Sequence, residues 1–131
     1  MVKNLSEHPI HFGLGATAFS EPKFTGEVDW YQGYAERHMA DGAEGRLMSL
    51  HHFTESWTVW EMHPVGAEVV MCLSGTIALI QQLPDGSEKQ IILQENEYAI
   101  NPPGVWHTAD VEEAATALFI TAGQGTENRD R

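Results

Sequence analysis

From Arg46 onward the chain falls into short runs of β-forming residues, separated by turn signals. Each run predicts a β-strand, on which successive side chains point to opposite faces. The runs are RLMSLHHF (46–53), WTVWEMH (57–63), EVVMCL (68–73), TIALIQQL (76–83), EKQIILQ (88–94), EYAINP (97–102) and ATALFITAG (115–123). Turn residues separate them. Thr54-Glu55-Ser56 predicts a hairpin loop between the first two runs, with Phe53 opposite Trp57. Asp85-Gly86, within PDGS, predicts a second hairpin. Many short strands without intervening helices predict a β-sandwich, jelly roll or barrel.

The segment before Arg46 follows another pattern. Residues 1–28 mix glycines, prolines and scattered aromatics and read as irregular. Gly13 to Ala18, GLGATA, loosely resembles a dinucleotide-binding loop, but no crossover helix or second strand follows it. DWYQGYAERHMADG (29–42) predicts a short helix, with Asp29 as N-cap and Gly42 as the stop. Trp30, Tyr34, Arg37 and His38 would share one side of it. The tail, residues 124–131, has no pattern and reads as loose. The expected organisation is an extension over 1–45 whose helix packs on a barrel over 46–123, followed by that tail.

The alternation also sorts the polar side chains. Glu61 and His63 fall on one face with Trp57 and Val59, while Thr58, Trp60 and Met62 fall on the other. Both faces carry apolar groups, so both are expected to be covered, one of them by a second subunit in a homodimer. Pro64 to Ala67 reverses the chain and allows the next strand to bring Glu68 back beside Glu61 and His63. Buried carboxylates without counter-charge are costly, and a divalent cation accepts carboxylate oxygen and imidazole nitrogen together. A fourth group, His107, follows Pro102-Pro103-Gly104 and enters a strand.

Composition narrows the partners. A chain of 131 residues suits one domain, and 42% hydrophobic content supports a core. Seven basic residues against nineteen acidic ones give a formal charge of −12, which disfavours nucleic acid and an anionic membrane surface. One cysteine, Cys72, cannot form an internal disulfide, and its strand position faces inward as a small apolar group. No stretch reads as a signal peptide or a membrane span, so a cytoplasmic location is expected.

These spacings resemble the cupin superfamily, and most closely its short single-domain bacterial members. His63 matches the second histidine of the first cupin motif; four residues lead to Glu68 and six more to Gly75. Pro102, Gly104 and His107 match the second motif. The resemblance covers roughly residues 46–122. Three positions depart from the pattern: Glu61 holds the first-histidine position, Asn96 replaces the glycine opening the second motif, and Ser56 stands near the missing opening glycine of the first. Asn tolerates the left-handed backbone such a position needs.

The resemblance implies an all-β, cupin-type jelly-roll barrel with a short N-terminal helix. It implies one divalent metal ion (Fe, Mn, Ni or Zn) on Glu61, His63, Glu68 and His107, with two positions open for water, substrate or oxygen. It also implies chemistry on a small organic molecule, by dioxygenation, decarboxylation or isomerisation. Glu61, if not a ligand, is the candidate for proton transfer. His51 is the second catalytic candidate, because the Phe53–Trp57 pairing turns it inward; a one-residue slip would turn His52 inward instead. A non-catalytic module that binds a small ligand or metal is the alternative, and a structural dimer with a relic site the third. His8, His11 and His38 read as surface or structural residues, and Tyr98 and Trp106 as packing residues.

Overall fold

A computed structural model describes residues 2–131 of the chain. Eleven strands and one α-helix are present among them. In chain order they are β1 (Ile10–Phe12), β2 (Ala18–Ser20), α1 (Val28–His38), β3 (Arg46–Phe53), β4 (Val59–Met62), β5 (Glu68–Gly75), β6 (Ile77–Gln82), β7 (Glu88–Leu93), β8 (Tyr98–Asn101), β9 (His107–Asp110), β10 (Ala115–Thr121) and β11 (Glu127–Asp130). They form two antiparallel sheets, ordered β2-β1-β3-β10-β5-β8 and β11-β4-β9-β6-β7, an all-β jelly roll as the resemblance implies.

The core lies between the sheets. Val70, Cys72, Ile77, Leu79, Leu93 and Phe119 are buried there, with Ala109, Ala115 and Ala117 filling the narrow positions. Strand β5 shows the period of two directly: Glu68, Val70 and Cys72 are buried, while Val69, Met71 and Leu73 are half-buried. Glu68 therefore stands on the core-facing side of its strand. Burial pushes the Cys72 thiol up, as befits an inert packing residue.

The Asp85-Gly86 hairpin forms as the sequence predicts, joining β6 to β7 with Gln82 opposite Glu88. The other hairpin does not. Strand β3 pairs with β1 and β10, and β4 pairs with β9 and β11, so residues 54–58 cross between sheets. Alternation decides which face a residue takes but not which strand lies beside it. Strand β10 offers β3 a ladder from Phe53↔Ala115 to Leu47↔Thr121, which the shorter β4 cannot match.

Three other regions differ from expectation. The N-terminal segment read as irregular holds β1 and β2, each of three residues, and β1 extends the first sheet alongside β3. Runs that short carry too few residues to display a period. The glycine stretch 13–18 contains a 3-10 turn, Leu14–Ala16, between those strands, and no helix follows it as a nucleotide loop requires. The tail is not loose: β11 pairs with β4 over Glu127↔Met62 to Asp130↔Val59. Its sequence is polar throughout, so no apolar alternation reveals it. Backbone bonds hold it, together with the Arg129 guanidinium, 4.3 Å from the Trp106 ring centroid and 5.5 Å from that of Trp60. The face of Trp60, one of the two expected to be covered, is thus partly covered by the chain's own end. Tyr98, read as packing, is 61% exposed on β8.

Helix α1 starts one residue before Asp29, with Glu27 as N-cap, and runs on into a 3-10 segment, Met39–Glu44, that contains Gly42. Its predicted common side is present. Trp30 stacks on Tyr34 with centroids 5.8 Å apart, and Arg37 and His38 both reach Glu21. No helix among the described residues is long and apolar enough to cross a membrane.

Two backbone positions bear on the motif. Asn96 adopts φ +67°, the left-handed form that its place in the motif requires. Gly75 has φ +78°, and a Cβ there would lie 2.1 Å from the Ala114 carbonyl oxygen. Only glycine fits where β5 meets the bulge in its ladder with β10.

Candidate metal centre

Four side chains converge between the sheets. Glu61 lies on β4, directly opposite His107, the first residue of β9. His63 sits one residue past β4, and Glu68 opens β5 after the Pro64–Ala67 turn. Their ligand atoms all lie within 4.8 Å of one another. His63 Nε2 is 3.0 Å from Glu61 Oε1 and 3.0 Å from Glu68 Oε2. His107 Nε2 is 3.2 Å from Glu68 Oε1 and 3.8 Å from Glu61 Oε1. Local strand geometry and the Pro-Gly turn thus place the sequence-derived set together.

The set is anchored from outside. His63 Nδ1 meets the Thr126 hydroxyl at 2.8 Å. The Thr121 hydroxyl donates to Glu68 Oε2 at 2.6 Å, and Asn101 Nδ2 donates to Glu68 Oε1 at 3.1 Å. Gln81 in turn donates to Asn101 Oδ1 at 2.9 Å, which fixes that amide. Partners of this kind orient ligands and tune their basicity. Sequence reasoning missed all four. Thr121 and Asn101 are the ladder neighbours of Glu68 on β10 and β8, and Thr126 precedes the unrecognised β11. Replacing Thr126 with valine, which removes the hydroxyl at constant shape, is expected to weaken divalent-metal affinity by about tenfold. Competition with a chromophoric chelator measures it, and an unchanged affinity would remove Thr126 from the site.

One atom tests whether a cation fits. His107 is fully buried, and its Nε2 has no hydrogen-bond partner although it faces two carboxylates. Its Nδ1 lies 3.4 Å from the Val105 carbonyl, where it can only donate. With the proton on Nδ1, a bare Nε2 lone pair would point at carboxylate oxygens, an arrangement that needs a positive charge between them. Two carboxylates and two neutral imidazoles would balance a divalent ion, and the mixed O/N set suits Fe(II), Mn(II), Ni(II) or Zn(II).

Protons take that role in the metal-free site. Burial pushes the His63 and His107 imidazoles down, but the facing carboxylates of Glu61 and Glu68 outweigh it and hold both at about 9. Burial likewise raises Glu68 and Glu61, yet the same histidines hold Glu68 far below the usual carboxylate range and Glu61 below it too. The metal-free cluster is therefore two imidazolium ions against two carboxylates.

The cluster opens to solvent at Glu61, whose side chain is 28% exposed against 0–4% for the other three. His51 faces this interior and His52 does not. His52 is exposed and meets the Thr116 hydroxyl at 2.9 Å, whereas His51 packs against Phe24 and Phe119. Parity along β3 gives that orientation whichever strand lies beside it. Burial pushes the His51 imidazole down, outweighing the nearby charges of Glu61 and Glu68, so it is held neutral. From α1, Tyr31 also comes within electrostatic reach of Glu61. Trp57, placed by the sequence on the Glu61 face, packs 6.0 Å from the His107 ring with its indole N–H buried and unpartnered. Beyond Trp57 the interior is filled: the cavity it shares with Phe53, Leu79 and Phe119 has room for ≈ 10 Å³, about one water. A ligand must therefore approach from the Glu61 side.

No protein-family model matches the sequence, and no curated protein matches it. Solved structures do. An oxalate oxidase matches with a TM-score of 0.54 at 14% identity, over 62% of this chain and 44% of that one. Hydroquinone 1,2-dioxygenase from Sphingomonas sp. TTNP3, solved with 4-hydroxybenzoate bound, matches with a TM-score of 0.50 at 18% identity, over 58% of this chain and 59% of that one. A cupin-2 domain containing protein from Shewanella frigidimarina has a TM-score of 0.48 at 25% identity, over 58% of this chain and 69% of that one. The chain spans less than two thirds of the two enzymes, and these likenesses describe its fold.

Proposed function

This chain is a cupin by fold, and on that premise we propose that it is a divalent-metal-dependent enzyme acting on a small organic molecule. The observation that carries the reading is the buried, unpartnered Nε2 of His107 among three other convergent donors. His63, Glu68 and His107 would hold the ion, with Glu61 as the carboxylate on its open side. When bound, the ion supplies Lewis-acid polarisation of a ligand oxygen. His63, Glu68 and His107 are rigid, buried donors, and their role is to hold.

Glu61 differs from them. It is the exposed member, its carboxylate stays ionised, and it stands where a ligand enters. It is the residue placed to take a proton from that ligand. His51, neutral and facing the same space, is placed to hydrogen-bond the ligand while Glu61 returns the proton it took. Phe24 and Tyr31 from the N-terminal extension narrow the approach beside His51. Dioxygenation, decarboxylation and isomerisation are the reaction classes that the resemblance implies, and fold alone does not choose among them.

The test is turnover after loading with Fe(II), Mn(II), Ni(II) or Zn(II), against a panel of β-diketones, thiol acids, keto acids and sugars. At least one metal is expected to support turnover, and Glu61→Gln to lower kcat by about 100-fold or more while the ion stays bound. Tight binding of a panel compound without turnover under any metal would instead establish a non-catalytic binding module.

A further inference from the structure

A second group of donors lies in the N-terminal extension. His11 on β1, His38 at the end of α1 and Asp41 in the 3-10 segment place ligand atoms within 4.8 Å of one another. Read as surface or structural from the sequence, His11 is only 1% exposed. Nothing in the chain order announces the group, because its members stand 27 and 3 positions apart on three different elements. We propose that His11, His38 and Asp41 form a second divalent-cation site, separate from the one between the sheets and independent of it.

Two imidazoles and one carboxylate suit Zn(II), Co(II), Ni(II) or Fe(II), and leave positions for water or an anion. Each imidazole also has its other nitrogen held by an outer partner, as metal-binding histidines do. His11 Nδ1 meets the Tyr34 hydroxyl at 2.6 Å. His38 Nε2 meets Glu21 Oε2 at 2.9 Å, and Glu21, itself 3% exposed, is fixed by Arg37 at 2.8 Å. His38 donates from Nε2 to that carboxylate, which leaves its Nδ1 lone pair free for a cation.

His11 needs one proton to move. Without an ion, Nε2–H donates to Asp41 Oδ2 at 2.6 Å and Nδ1 accepts from Tyr34. With an ion on Nε2, the imidazole carries its single proton on Nδ1 and donates it to the Tyr34 oxygen. The two rings lie face to face, with centroids 3.6 Å apart and planes 17° from parallel. An ion drawing both nitrogens to one centre would spread these rings apart.

The backbone is shaped around the group. A Cβ at Gly13 would lie 2.8 Å from Asp41 Oδ2, and one at Gly45 would lie 2.9 Å from His11 Cε1. Glycine at both places lets the chain close on the donors. Access remains, because the Asp41 side chain is 23% exposed and His38 borders an open groove.

The probe is the metal alone, titrated into the metal-free full-length chain: Zn(II) by calorimetry, and Co(II) by its visible absorption. The wild type is expected to take two equivalents. His38→Gln and Asp41→Asn should each remove one and leave the other, and Tyr34→Phe should weaken that one by about tenfold. His107→Gln should remove the other equivalent and leave this one. Circular dichroism confirms that each variant is folded, and two variants on different elements guard against local collapse of one. A single wild-type equivalent that survives both His38→Gln and Asp41→Asn overturns the proposal, as does complete loss of binding in folded His107→Gln. A single equivalent that those two variants abolish supports it, and refutes only the centre between the sheets.

Discussion

His107→Gln is expected to weaken divalent-metal binding between the sheets by at least ~100-fold, a larger loss than removal of any outer partner. Glutamine keeps a polar side chain at the position but supplies no imidazole lone pair. The site loses the donor on β9, the one that faces Glu61 across the ladder and lies 3.2 Å from Glu68. The same change acts on the metal-free protein, because Glu68 is almost fully buried and loses one of its two counter-charges. Breaking a buried charge pair costs about 3 kcal/mol or more. His63, Asn101 and Thr121 still hold that carboxylate, so the variant is expected to fold with a lower urea midpoint. Chelator competition measures the first effect and urea unfolding the second. Wild-type affinity in the folded variant would place the ion elsewhere.

The second large effect is a reversal of pH dependence on metal loading. Without metal, His63 and His107 are held at about 9, above the value near 6.5 that an unfolded chain gives them. A raised folded value stabilises below the unfolded value, and that stability is lost as pH climbs through the folded one. The metal-free protein should therefore lose stability between about pH 6.5 and 9. The magnitude is on the order of 3 kcal/mol for the coupled pair. Loaded protein should behave oppositely. A divalent ion replaces the two imidazolium protons, so its affinity rises with pH over the same window and protects more at the upper end. At pH 7 about two protons should leave the protein per ion bound between the sheets. Urea midpoints at pH 6 and 9.5, with chelator and with Zn(II), give the stability slopes. Calorimetry in buffers of different ionisation enthalpy counts the protons, with Asp41→Asn as the background so that one site is read. Parallel slopes and no proton release would mean that the ion does not displace these protons.

The fold and much of the candidate centre were legible because both rest on local geometry. The period of two placed Glu61 with His63, and Glu68 with Val70 and Cys72, before any pairing was known. It turned His51 inward even though the hairpin used to argue it does not form. Asp85-Gly86 predicted its own turn, since a two-residue backbone preference acts without help from distant chain. The spacing from His63 to Glu68 and Gly75, and that of Pro102, Gly104 and His107, added the resemblance that joined the two halves of the site.

What the sequence by itself determined is the facing of the side chains along each strand, because that depends on alternation alone; the grouping of Glu61, His63 and Glu68 with His107 came from the resemblance. Only the tertiary structure decided which strands are neighbours, because β3 chooses between β4 and β10 by competition between whole ladders. It alone decided that a fully polar tail becomes β11, since backbone bonds hold that strand and leave no mark in its side chains. It alone brought Thr126 to His63, and His11 to His38 and Asp41, because contacts between separate elements depend on how the chain packs as a whole and not on any local period.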